Sequence, residues 1–213
     1  MSEKLNFTYS STEEKLNIWS HAFGFLLSSI AFPFLVIKAL SFDGFWKPTS
    51  FIIYGLSLII LYAASTFYHA ATAPKRRRKL NILDHAAIYV LIAGSYTPFT
   101  LVGLDTSLGN YMFAFVWLFA LVGVVLKLFF TGKFDKLSTA MYLLMGWQVV
   151  FFINPLIESL STFSLNYLFI GGVFYSIGAI LYMIKRLPYN HAIFHLFVLL
   201  GSFSHFLAIY FLY

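Results

Sequence analysis

The chain has no cysteine among its 213 residues, so disulfides and thiolate metal sites are excluded, and any metal must be held through nitrogen and oxygen. Charge is scarce too: Asp, Glu, Lys and Arg make up 10% of the residues, against 60% hydrophobic ones and a mean hydropathy of +0.82. So few charges cannot hydrate the surface of a soluble domain, which makes lipid the expected solvent. Long polar segments are also missing, the longest being the opening Met1 to Leu16. That segment mixes acids with bases and lacks a short apolar core followed by a cleavage site, so it does not read as a secretory signal peptide. No separate soluble domain fits.

What remains is apolar, in seven stretches near 17–40, 48–72, 80–103, 109–131, 137–157, 163–186 and 190–213. Each is close to the roughly 20 residues that cross a bilayer. The pattern predicts an all-α integral membrane protein, a seven-transmembrane helix bundle. Residues 1–16 are expected to form a short cytoplasmic N-terminal segment and 17–213 the bundle. Pro33 and Pro98 fall inside spans and read as kinks or packing irregularities. The abundant Phe and Tyr read as lipid-facing and interfacial bulk.

Charge placement orients the bundle. The N-terminus and the connections near 73–79, 132–136 and 185–189 share one face, which carries Lys4, Lys15, Lys75, Arg76, Arg77, Arg78, Lys79, Lys127, Lys133, Lys136, Lys185 and Arg186. The other face has only Lys38 and Lys47. The excess of basic residues on cytoplasmic loops then puts the N-terminus in the cytoplasm and the C-terminus outside. The net charge of +6 is therefore read as topology and not as nucleic-acid binding. The run Lys75 to Lys79 reads as a topology anchor, with anionic lipid head groups as its alternative partner.

Ionisable groups within spans are costly and usually face the bundle interior, which makes them the first place to seek function. His69 lies near the inner end of the second span, and Ser65, four residues earlier, shares its helix face. Asp84 opens the third span in Asn81-x-x-Asp84, which resembles a helix start with a cap and an acid in the first turn. His85 points about 100° away and reads as structural or interfacial. The last span begins Pro188-Tyr189-Asn190-His191-Ala192-Ile193-Phe194-His195, with Asn190 as the expected N-cap and two histidines aligned on one face. Paired histidines at that spacing are a recurring way for a helix to hold zinc, although the glutamate of the soluble H-E-x-x-H motif is replaced by Ala192. Span counting brings His69, Asp84, His191 and His195 to the same end. Three histidines plus water is the usual open zinc arrangement, with Asp84 either a fourth ligand or the holder of the water. Asn17 and His21 also lie at that end, His21 as a neighbour of the ligands or an alternative one, whereas His205 sits about 15 Å deeper and reads as an interior hydrogen-bonding residue.

This set, Asn17-x-x-x-His21, Ser65-x-x-x-His69 with Asp84, and His191-x-x-x-His195 followed by His205-Phe206, resembles the haemolysin III proteins, which belong with the progestin and adipoQ receptor superfamily. The resemblance covers essentially the whole seven-span region. It implies zinc bound by His69, His191 and His195 near the cytoplasmic face, with Asp84 beside the metal and its water. The superfamily also includes alkaline ceramidases, which hydrolyse a lipid amide. The chain departs from receptor members in lacking a long N-terminal domain and in having Asp84-His85 where they have Asp-Tyr. It also has Ala192 where bacterial relatives often carry an acid. The resemblance implies a zinc-dependent hydrolase of a lipid amide or ester in a bacterial cytoplasmic membrane, with membrane lipid as its surroundings and a lipid-like substrate in the bundle. Asp84 would take the proton from water and Ser65 would donate to the developing oxyanion. The alternatives are a non-catalytic zinc-stabilised protein of lipid sensing or membrane homeostasis, and a cytolytic haemolysin.

The orientation has a direct test. Alkaline phosphatase fused after Tyr213 is expected to be active, and the same enzyme inserted beside Lys79 inactive; the reverse result would invert the bundle.

Overall fold

The computed structural model describes residues 9–212. Its helices are α1 (Ser11–Ala39), α2 (Trp46–Ala70), α3 (Pro74–Pro98), α4 (Ser107–Phe130), α5 (Asp135–Gly146), α6 (Ile153–Ser159), α7 (Thr162–Met183) and α8 (Asn190–Tyr210). No strand occurs among the described residues. A π-helical turn, Phe99–Leu104, extends α3, and a 3-10 turn, Trp147–Phe152, joins α5 to α6, giving seven spans long and apolar enough to cross a membrane. Large apolar side chains such as Trp19, Leu40, Phe129 and Phe151 face outward, as lipid permits and water does not. The chain is an integral membrane protein.

Neighbouring helices pack as the pairs α1–α2, α2–α3, α3–α4 and α7–α8; α1 against α8 closes the bundle, and α5 touches both α3 and α7. Helix α3 is the most enclosed element. Its fit against α4 depends on Gly123, where an added Cβ would run into the ring of Tyr89. Small residues let helices in lipid approach closely.

Two spans depart from a straight α-helix, and side-chain hydroxyls bond the backbone near each break. Pro155 lacks an N–H and its ring crowds the carbonyl of Phe151, which disfavours α geometry through Trp147–Phe152. The Tyr96 hydroxyl, from α3, donates to the Gly146 carbonyl at 2.7 Å and accepts from the Val149 N–H at 2.8 Å. At Pro98 the α-helix passes into the π turn, while the Thr97 hydroxyl donates to the Ala93 carbonyl at 2.8 Å and accepts from the Trp117 indole at 3.0 Å. Pro33 lies within a continuous α1.

Several sequence expectations are corrected. Helix α1 starts at Ser11, capped by the Ser10 hydroxyl, so Glu13 and Glu14 lie inside the helix and are buried. Helix α3 starts at Pro74, which puts Asp84 about three turns inside it and not at a capped start; proline at the first helical positions costs no hydrogen bond there. Asn190 does not cap α8. Its amide donates to the carbonyls of Tyr182 at 2.7 Å and Ile184 at 3.5 Å, satisfying the open end of α7. The tyrosines are not only interfacial: Tyr54, Tyr62, Tyr89 and Tyr96 are buried, because each hydroxyl finds a partner within the bundle.

Gly123→Ala must displace a Tyr89 ring already packed on Tyr142 at 4.6 Å. It is expected to cost about 1–3 kcal/mol, read as a lower melting temperature in detergent, although alanine is the better helix former.

Candidate metal centre

His69 is in the last turn of α2, and His191 and His195 are in the first two turns of α8. All three are buried, and one nitrogen from each lies within 4.8 Å of those of the other two. The Nε2 atoms of His69 and His191 are 3.1 Å apart.

The groups behind the rings define which nitrogens carry protons. Nδ1 of His69 is 2.7 Å from Glu14 Oε2, so it donates to the carboxylate and leaves Nε2 bare. Nδ1 of His195 is 3.2 Å from the Ser20 hydroxyl, whose own hydrogen goes to the Asn17 carbonyl at 3.1 Å. Ser20 therefore accepts from His195, and that ring also turns an unprotonated Nε2 inward. Nδ1 of His191 has no partner among the described residues. With His69 Nδ1 donating to Glu14, the proton shared across the 3.1 Å between the two Nε2 atoms is donated by His191. Convergence of three buried imidazoles, each with a nitrogen turned to the others, suits this group to holding a metal ion that would displace that proton.

The remaining predicted residues surround the cluster. His21 stacks on His195 with ring centroids 3.5 Å apart and meets the edge of Tyr62 at 5.1 Å. Asn17 is fully buried, and its side-chain amide has no partner among the described residues. The Ser65 hydroxyl is likewise buried and unpartnered; it does not bond back to its own helix. Asp84 is buried, with Oδ2 3.9 Å from His85 Nδ1, while that nitrogen donates to the Asn81 carbonyl at 2.9 Å. His205 lies deeper and bonds through Nε2 to the Leu168 carbonyl at 3.2 Å. A cavity of about 170 Å3 connects these positions: its walls include His21, Ser65, Asp84, His85, His191 and His195 at one end, and Tyr96, Phe99, Leu156 and His205 further in.

Sequence reasoning missed five contributors, the first being Ser20 behind His195. Glu14 backs His69, Arg77 pairs with Glu14, and Glu13 accepts the His191 backbone N–H at 3.3 Å, serving as a cap for α8 from another helix. Tyr9 stacks on His191 with centroids 4.6 Å apart, and burial pushes its phenol well above the usual range, so it stays neutral. The only sequence signal was the pair of acids in the opening segment, which is unusual beside so few carboxylates in the whole chain.

Fold and centre together define a seven-span membrane protein with a buried three-histidine cluster at the end that carries the basic loops. Residues 9–206 match the family described as Haemolysin-III related. The chain is 45% identical over 203 residues to the hemolysin-3 homolog of Bacillus subtilis, covering 95% of each chain. It is 42% identical over 212 residues to hemolysin-3 of Bacillus cereus, covering 99% of this chain and 97% of that one. The human monocyte to macrophage differentiation factor is 28% identical over 207 residues, covering 93% of this chain and 83% of the relative. The chain belongs to the haemolysin-III related family.

Removing one nitrogen of three should weaken metal retention sharply. Metal analysis of purified His69→Ala, His191→Ala and His195→Ala proteins is expected to show loss of the stoichiometric metal held by the parent; full retention in all three would reject the cluster as a metal site.

Proposed function

We propose that this protein is a zinc-dependent hydrolase of a lipid amide or ester, set in a bacterial cytoplasmic membrane with its centre near the cytoplasmic face. The observation that carries the reading is a three-histidine cluster of which His191 and His195, together with Asp84 and Ser65, line one largely apolar cavity. Zinc suits the donor set: two nitrogens on a tetrahedral zinc stand about 3.3 Å apart, close to the 3.1 Å between His69 and His191. Three protein donors leave a position open, as in catalytic zinc sites.

A zinc ion supplies Lewis acidity to a carbonyl and to water. Asp84, a carboxylate on the cavity wall, accepts the proton of the attacking water and returns it to the departing amine or alcohol. The unpartnered Ser65 hydroxyl donates to the oxygen on which negative charge develops. The apolar walls toward Phe99 and Leu156 accommodate an acyl chain and exclude bulk water.

The test is hydrolysis of a panel of acyl amides and esters by zinc-loaded protein. Asp84→Asn is expected to lower kcat by about 10²–10⁴-fold and Ser65→Ala by about 10²-fold, each with zinc content unchanged. Full zinc occupancy with no product from any lipid would overturn the hydrolase reading in favour of a metal that only ties α2 to α8.

A further inference from the structure

The carboxylate behind His69 takes no part in the chemistry above, yet it is buried and held through both oxygens. The side chains of His69 and Glu14 are 0% and 10% exposed, and one carboxylate oxygen meets His69 Nδ1 at 2.7 Å. The other oxygen is paired with Nη2 of Arg77. Nη1 of Arg77 then reaches the carbonyls of His69 and Ala71, both at 3.3 Å, where the end of α2 leaves acceptors open. One guanidinium thus grips both the carboxylate and the backbone that carries the ligand. Arg77 is also the buried member of a basic run whose other members, Lys75, Arg76, Arg78 and Lys79, are exposed. Among the three histidines the supports differ: His69 has an anion behind it, His195 a hydroxyl, and His191 Nδ1 no partner among the described residues.

We propose that Glu14, held in place by Arg77, is a positioning residue of the metal centre that fixes the tautomer and ring direction of His69. The proposal rests on reading the three histidines as a metal site, and not on any particular reaction there. A carboxylate accepting from Nδ1 keeps the proton on that nitrogen, aims Nε2 inward and makes it a stronger donor; loss of such a group commonly costs about 10–100-fold in metal affinity. Glutamine at this position keeps an acceptor oxygen but gives up the charge and the ion pair with Arg77, so its effect should be smaller.

The experiment uses the full chain in detergent, measuring zinc affinity against a chromophoric chelator and the visible spectrum of the cobalt-substituted protein. Glu14→Ala is expected to lower zinc affinity by about 10–100-fold and to alter the cobalt bands, Glu14→Gln to fall between it and the parent, and Arg77→Gln to weaken binding in the same direction. A purely structural role would lower the melting temperature of the metal-free protein while leaving zinc affinity and the cobalt spectrum unchanged, and that result would overturn the proposal. If Glu14→Ala does not fold, the same two readouts on Glu14→Gln and Arg77→Gln decide, and parental values in both would reject it. A parent that binds neither zinc nor cobalt sinks the metal reading and this one with it. Weakened binding in the variants supports positioning whether or not any lipid is cleaved.

Discussion

Enclosing the Glu14 carboxylate in a bundle whose outer surface faces lipid costs several kcal/mol unless both oxygens are engaged. Both are, by His69 on one side and Arg77 on the other, and the arrangement at this end of the molecule depends on that fact. The carboxylate draws α1 against the end of α2, and Arg77 brings in the start of α3. Glu13, one residue earlier, reaches the start of α8. Four helices thus meet around two adjacent acids. The histidine cluster occupies the space they frame, with Tyr9 stacked across His191.

The cost of leaving backbone polar groups open in lipid also bears on the irregular parts of the third and fifth spans. Proline interrupts both, and each interruption frees backbone groups that water would otherwise satisfy. Tyr96 closes one gap from a neighbouring helix, whereas at Pro98 the chain passes into the π turn. The tyrosines that seemed from composition to be membrane-interface residues are placed inside because the broken spans and the α8 backbone give their hydroxyls partners.

The seven spans were legible because bilayer thickness imposes a length on every apolar run, and only the ends of the helices strayed. The gathering of His69, His191 and His195 was legible for a related reason: counting spans fixes which end of each helix lies on which side. The supports behind the histidines were not. Glu14 reads as part of a polar opening segment and Arg77 as one of five similar bases, and nothing local marks which charge turns inward. Asp84 and Asn190 were misplaced by cap-like patterns, since a real helix start at Pro74 and a tertiary role in closing α7 override such short signals. Partner choice of this kind is decided by packing between helices distant in the chain.

The histidine cluster also bears on how the protein is made. His69 and His191 touch across 122 positions of sequence, and α1 must lie against α8 before the ring is closed. Until the final helix enters the bilayer, Glu13 lacks its cap partner, and the His69 ring, even if already backed by Glu14, faces an incomplete pocket. Contacts of such long range form late in assembly. The cluster therefore exists only in the finished molecule, and metal capture would mark the moment at which the first and last helices of the bundle have met.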